Sequence, residues 1–207
     1  MVFYWNSQII LIKKQSCGVA GGGGLKINRL QWNSYNLEEL FGKSTRGKRL
    51  KSADRISGNL PFVTAGEANE GISAFISNDV EVFPSNTTTI DMFGSAKYRN
   101  YKYGADDHIA VVHTNKLSKM ASIFVTTAIH KASYTDKFSY SRNFYAKDAD
   151  ELSILLPSKK DGSPDFAFME RLIGAIQKLV IKDVVAYADR KIAATRQIVE
   201  QQKTSAN

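Results

Sequence analysis

The sequence predicts an α+β protein, in which a twisted β-sheet or open barrel is followed by one long C-terminal coiled-coil helix. Two observations predict this fold class. In the middle of the chain, short apolar runs rich in β-branched and aromatic residues alternate with Gly, Asn, Asp and Pro, which is typical of many short strands. After them comes one long segment with helical periodicity. Apolar residues make up 43% of the 207 residues, which is enough to form a core.

Residues 1–30 are predicted to be a leader or linker of uncertain order. Residues 21–24 are four consecutive glycines, which predict a flexible break because glycine loses more backbone entropy on ordering than any other residue. A phosphate-binding loop needs a preceding strand, a following helix and spaced glycines, and the segment lacks this pattern. Residues 1–12 are apolar but too short to cross a membrane, and a Lys pair follows them instead of preceding them as in a signal peptide. We therefore expect a cytoplasmic protein with no membrane partner.

A globular domain is predicted over residues 31–160. It begins with a short helix at residues 37–41, and a second helix is predicted at residues 120–132. Pro157 is expected to stop the last strand of the domain. Strands are predicted in six apolar runs, at residues 60–63, 72–76, 80–83, 88–92, 108–112 and 152–156.

A long helix is predicted over residues 164–203, with Asp165 as its N-cap. Its length is about 55 Å at about 1.5 Å per residue, which is more than the preceding domain can cover. An apolar stripe flanked by charge suits a coiled-coil seam, and a helix folded back over its own domain is the alternative. The expected interface residues recur at helical spacing: Met169, Leu172, Ile176, Val180, Val184, Tyr187, Ile192 and Val199.

The charge balance favours a polyanionic partner. Twenty-eight Lys and Arg residues against 20 Asp and Glu residues give a net charge of +8. An excess of this size attracts nucleic acid over long range, although charge that only keeps the protein soluble is the alternative.

Three basic and aromatic clusters fall between the predicted elements, where loops carry binding residues. Arg can bond two acceptors of a guanine and Asn two groups of an adenine, while Lys and Tyr hydroxyls bind phosphates. Aromatic side chains could instead stack on single strands, and solvated loops remain the alternative for each cluster. The candidate DNA-binding residues are Arg46, Lys48, Arg49 and Lys51; Lys97, Tyr98, Arg99, Asn100, Tyr101 and Lys102; and Lys137, Tyr140, Arg142 and Asn143.

Residues with catalytic chemistry do not form a recognisable site in the sequence. Three scattered histidines, His108, His113 and His130, make a shared metal ion improbable. Asp106 and Asp107 are adjacent, and on a strand their carboxylates would point apart. We find no nucleophile elbow, no nuclease core and no Asn/Asp-Pro-Pro-Tyr/Phe loop of an amino-methyltransferase. The sequence therefore predicts neither catalytic residues nor a cofactor or metal site in this chain.

Five segments, taken in order, resemble a known family. They are Trp-Asn-Ser-Tyr-Asn-Leu-Glu-Glu-Leu-Phe from Trp32, Gly-Asn-Leu-Pro-Phe-Val at residues 58–63, Asn-Glu-Gly-Ile at residues 69–72, Tyr-Ser-Arg-Asn-Phe at residues 140–144 and Ile-Leu-Leu-Pro at residues 154–157. From Trp32 to Gln202 the chain resembles the target recognition domain and spacer helix of type I restriction–modification specificity subunits. It is also similar to the related recognition subunits of type IIB enzymes.

The resemblance implies that the globular domain reads one half of a two-part target in double-stranded DNA. It implies that the helix is a spacer that pairs antiparallel with a second such helix. Methylation subunits would dock on this assembly and bring S-adenosylmethionine, and a restriction subunit would cleave. Because a full specificity subunit has two domains and two helices, this chain would be a half-subunit, a fragment or a single-domain form that dimerises.

Two other functions stay open at this point. One is a DNA-acting enzyme, a nuclease or a methyltransferase, with unfamiliar motifs. The other is a structural adaptor that binds protein through the long helix and uses its charge only for solubility.

Overall fold

A computed structural model of the chain describes residues 30–205, and side chains as far as residue 197. The predicted leader lies outside the described residues except for Leu30. The mixed α+β class with a long C-terminal helix is confirmed. The elements are β1 (Gln31–Asn36), α1 (Leu37–Phe41), β2 (Thr45–Arg46), β3 (Ser57–Val63), β4 (Ile72–Ile76), β5 (Thr87–Asp91), β6 (Ala96–Arg99), β7 (Gly104–Ala105), β8 (Ile109–Val112), α2 (Lys119–Ser133), α3 (Ala146–Asp150), β9 (Ser153–Ser158) and α4 (Phe166–Ser205).

The described strands form three small open sheets. One sheet has the order β2-β8-β5-β6 with antiparallel neighbours, a second has the order β4-β3-β7, and β1 pairs with β9 in a two-stranded ribbon. Strands β5 and β8 are buried along their whole length. Helix α2 packs on β6 and β9 and against the start of α4. One buried hydrophobic cluster joins β8 of the four-stranded sheet to β3 and β7 of the second sheet, and it consists of Val63, Phe83, Tyr103, Ala105, Ile109 and Val111. Helix α2 packs on the four-stranded sheet at β5 and β6, so the core extends from the second sheet to α2.

The strand predicted at residues 80–83 is wrong. Only Phe83 forms a bridge, with Tyr103, and its ring stacks on the Tyr103 ring at a centroid distance of 5.6 Å. Val82 is exposed and Pro84 follows, so a single residue of this apolar run reaches the core. Apolar residues predicted a strand here, but the neighbouring segment offers a backbone partner to one residue only.

Strand β9 runs through Pro157, which was expected to stop it, and ends at Ser158. Pro157 is paired with Trp32 in the two-stranded ribbon. Both strands of such a ribbon are edges, where a residue without an N–H group is tolerated. The carbonyl of Pro157 accepts a hydrogen bond from the Asp165 N–H at 2.8 Å, so the proline also helps to place the start of α4.

Asp165 caps α4 as predicted, because its side chain accepts a hydrogen bond from the Phe168 N–H at 2.9 Å. Phe168 and Met169 are buried, and they anchor the first turn on the domain. The assignment of Met169 to the interface with a partner helix is therefore wrong. Every residue from 177 to 197 is exposed. The helix therefore projects away from the domain, and the alternative of a helix folded back over it is wrong.

His130, on α2, holds the strand that follows the β5–β6 turn. Its Nδ1 accepts a hydrogen bond from the Ala96 N–H at 3.1 Å. An imidazole can accept this bond only at an unprotonated nitrogen. Burial, and next the charge of Lys97, lower the pKa of His130.

We predict that acidification destabilises the fold through His130. Its pKa lies below the ordinary value of 6.5, so the unfolded chain binds more protons than the folded chain as the pH falls towards and below 6.5, and the free energy of unfolding decreases. Burial lowers the pKa of His113 too, which acts in the same direction. The urea concentration at the midpoint of unfolding should be lower at about pH 5.5 than at about pH 7.5. Carboxyl groups contribute little to the change in stability over this range.

The matched variant is His130→Asn, whose Oδ1 can accept the Ala96 N–H bond without titrating. It should retain most of the wild-type midpoint at the higher pH and lose less of it on acidification. An equal pH-dependent loss in both proteins would contradict this role of His130.

Candidate nucleic-acid interface

The first basic cluster is a loop held tightly against the sheet by its backbone. The Gly47 N–H donates to the Ile109 carbonyl at 3.2 Å and the Lys48 N–H to the Ala105 carbonyl at 3.0 Å. A Cβ atom at Gly47 would lie 2.1 Å from the Ala105 oxygen, so only glycine permits this approach. The Leu50 N–H donates to Asp106 Oδ1 at 3.3 Å. The loop is thus fixed while its basic side chains point outward.

The cations of this loop are of two kinds. Arg46 and Arg49 lie 3.8 and 3.9 Å from the carboxylate oxygens of Asp107. Lys48 and Lys51 are exposed, and neither forms an ion pair with another residue of the described chain. The arginines therefore lie beside an acid without a hydrogen bond to it, whereas the two lysines have no acid beside them and remain available to a ligand.

The third cluster is a tight hairpin at residues 139–142. The backbones of Ser139 and Arg142 exchange two hydrogen bonds, at 2.9 and 3.1 Å. Phe144 is buried, and its N–H donates to the Met92 carbonyl at 2.9 Å, which fixes the return of the hairpin to the domain. Tyr140 is at the tip and is 84% exposed.

Arg142 is fixed by Asp148, near the start of α3. Its two terminal nitrogens donate to the two carboxylate oxygens of Asp148, and its guanidinium lies 5.4 Å from the centre of the Phe138 ring. Partial burial would raise the pKa of Asp148, but the Arg142 and Tyr145 N–H hydrogen bonds outweigh it and lower that pKa. The pair therefore stays ionised near neutral pH and sets the direction of Arg142.

One contact links the first cluster to the segment that follows the third cluster. The Arg46 guanidinium lies 5.9 Å from the centre of the Tyr145 ring. Sequence reasoning missed Tyr145, although it stands two residues after the predicted cluster. We call the joint surface the basic face: Arg46, Lys48, Arg49, Lys51, Lys137, Tyr140, Arg142, Asn143 and Tyr145.

The second cluster is not a loop, as was expected, because its first residues form β6. Arg99 is only 1% exposed. Its Nε donates to Thr89 Oγ1 and its Nη1 to the Tyr101 hydroxyl, both at 2.9 Å. These partners satisfy the guanidinium inside the domain, so the assignment of Arg99 as a DNA contact is wrong. Tyr101 is half-buried beside it and packs against the core.

The other members of the second cluster do not form one surface. Lys97 donates to Glu67 and to Ser95, at 3.0 and 2.9 Å, and its side chain is 15% exposed. The Tyr98 hydroxyl donates to Asn86 Oδ1 at 2.9 Å. Asn100 and Lys102 remain exposed after the end of β6. Fewer side chains of the second cluster are therefore accessible to a ligand than its sequence suggested.

Asp106, Asp107 and His108 lie in a turn, not on a strand. Contrary to the prediction, their side chains do not point apart, since one ligand atom from each lies within 4.8 Å of the others. This spacing would suit a metal ion, but Arg46 and Arg49 beside Asp107 oppose a further cation. The absence of a metal site stays a prediction.

Within residues 30–205, no helix combines the length and the apolar composition needed to span a bilayer.

Comparison with known proteins identifies the family. The chain is 29% identical over 171 residues to specificity subunit S.BcgI of a type II restriction enzyme from Heyndrickxia coagulans, and this match covers 81% of the chain and 49% of that protein. A solved chain from the assembly of a type I restriction–modification system is 18% identical, with a TM-score of 0.53, over 92% of this chain and 48% of that one. The HsdS subunit from Thermoanaerobacter tengcongensis is 16% identical, with a TM-score of 0.50, over 86% and 45%.

The chain thus spans about half the length of the relatives that it matches. The solved structures share its fold at low sequence identity, whereas the family model matches most of its length, over residues 30–186. The chain belongs to the family of type I restriction–modification DNA specificity domains.

Proposed function

We propose that this domain reads one half of a two-part target in double-stranded DNA, as part of the specificity subunit of a restriction–modification system. The basic face carries this proposal, because the contact of Arg46 with Tyr145 links two segments far apart in sequence that present exposed lysines, arginines and tyrosines. Membership of the specificity-domain family supports it. In this function the chain binds and selects DNA and performs no catalysis.

The basic face divides the work of binding between its residues. Lys48, Lys51 and Lys137 have no acidic partner among the described residues and are suited to phosphates, which supply affinity without sequence information. Arg142 is directed by the carboxylate of Asp148, and Arg46 lies beside that of Asp107. A guanidinium can bond two acceptors of one guanine.

Helix α4 is the proposed spacer and partner-binding element. At roughly 100° per residue, Ile176, Val180, Val184 and Tyr187 fall on one line along the helix. Ile181, Val185, Ala188 and Ile192 fall on a neighbouring line, so the predicted interface draws on both. One coiled-coil partner covers a single seam of this kind. We assign the first line to a second copy of the chain, or to the second half of a longer subunit, with antiparallel pairing.

The second line then remains for a helix of a methylation subunit. That subunit would bring S-adenosylmethionine and the catalytic loop, and a restriction subunit would cleave. Both activities would therefore come from partners in the cytoplasm. The role of this chain is to place them on a chosen sequence.

We predict that Lys48→Ala with Lys51→Ala weakens duplex binding and flattens its salt dependence. Each phosphate contact releases counterions, so the slope of log affinity against log salt should decrease by about 1 per lysine, and all duplex sequences should be affected alike. Fluorescence anisotropy with a labelled duplex, at a series of salt concentrations, measures both quantities.

The matched control is Lys159→Ala with Lys160→Ala. It removes the same two charges from an exposed turn outside the basic face. The control should retain the wild-type slope. If both double variants change the slope equally, only net charge matters and the basic face is not the binding surface.

We predict that Val180→Asp with Val184→Asp disrupts self-association through α4. Both valines are exposed in the single chain, at 47% and 61%, and two carboxylates in a buried seam should weaken the dimer roughly 100-fold or more. Light scattering at micromolar concentration gives the mass. Ala186→Asp with Ala193→Asp adds the same charge to the other side of the helix and should leave the dimer intact. A wild-type monomer would contradict pairing of this line with a second copy of the chain.

A further inference from the structure

Tyr140 is the most exposed large apolar side chain of the described residues, and it stands on a rigid support. Two backbone hydrogen bonds close the hairpin below it, and the side chains of Ser139 and Ser141 bond to each other at 2.9 Å. The ring of Phe138 packs against the buried Phe144 at 4.9 Å. A ring that projects into water from such a support loses little conformational entropy when it binds a ligand.

One aromatic neighbour contacts the ring. The Tyr140 ring lies edge-to-face with Phe93, with centroids 5.2 Å apart and an interplanar angle of 84°. Since Tyr140 keeps 84% of its surface exposed in this arrangement, the ring remains open to a further stacking partner. Its hydroxyl makes no hydrogen bond to another described residue, so the apolar ring is the part that the structure positions.

Two cations of unequal availability flank the tip. Lys137 precedes the hairpin, is exposed, and forms no ion pair with another described residue, although Asp136 stands beside it. Arg142 is paired with Asp148, and this pair holds the hairpin in place. Proteins that insert a side chain between base pairs combine such an apolar tip with cationic contacts to the DNA.

We propose that Tyr140 is a stacking wedge, whose ring inserts at a base step of the bound duplex. The affinity of the domain would then depend on how easily that base step unstacks, in addition to the groups on the base edges. This inference rests on the proposed function, and it assigns to Tyr140 a contact through its ring, not through its hydroxyl to a phosphate.

The test uses the full chain and two short duplexes of the same sequence, one fully paired and one with a single unpaired adenine at its centre. Unstacking costs less at an unpaired base, so a wedge should bind the second duplex on the order of tenfold more tightly. Tyr140→Ala should abolish this preference and weaken binding to the second duplex by roughly 10- to 100-fold, within the range of one lost base–ring stack. Tyr140→Phe, which keeps the ring, should retain both.

Phe75→Ala is the matched control, because it removes another exposed aromatic ring, on β4, and should change neither affinity. Equal losses in Tyr140→Phe and Tyr140→Ala would overturn the wedge and assign the hydroxyl to a phosphate. An unchanged preference in Tyr140→Ala would overturn it as well. If the wild-type chain bound the paired duplex without any salt dependence, the proposed function itself would fail, and that result is distinct from either of these.

Discussion

The carboxylate of Asp91 holds together the part of the domain on which the hairpin at residues 139–142 rests. It is buried at the end of β5 and accepts hydrogen bonds from the N–H groups of Phe93 and Ser95, both at 3.0 Å. Lys97 lies 3.6 Å away, and the Gly66 N–H reaches the second oxygen at 3.4 Å. A buried carboxylate costs several kcal/mol unless such partners surround it, so the β5–β6 turn has little freedom. The β5–β6 turn, residues 92–95, is therefore a rigid support, which we call the platform.

The hairpin at residues 139–142 depends on that platform. Met92 accepts the Phe144 N–H bond, and the Gly94 carbonyl accepts a 2.6 Å hydrogen bond from Ser133 at the end of α2. Gly94 has a φ of 84°, and a Cβ atom there would lie 2.2 Å from the Ser133 oxygen. Glycine alone satisfies both conditions without strain. A buried carboxylate, a glycine and a helix terminus thus set the position of a tyrosine at the surface.

Local patterns in the sequence predicted the elements better than they predicted the surface. Asp165 and the periodicity that follows it specify a helix because capping and amphipathicity are properties of neighbouring residues. The burial of Arg99 could not be predicted in this way, since it depends on a hydroxyl of Thr89 ten positions earlier and on the partner strand that carries it. The basic face depends likewise on Tyr145 meeting Arg46, which only the tertiary fold decides.

The arginines and lysines of the basic face are not equivalent, because tertiary contacts place acids beside the arginines only. A guanidinium beside Asp107 or Asp148 has less net charge to offer a phosphate, so it contributes less to sequence-independent attraction. In the proposed function, Arg142 would be held in one direction by Asp148 and would select a base, whereas Lys48 and Lys51 would attract any duplex. The acids beside the arginines would thus let the domain bind DNA broadly through its lysines and select a sequence through its arginines.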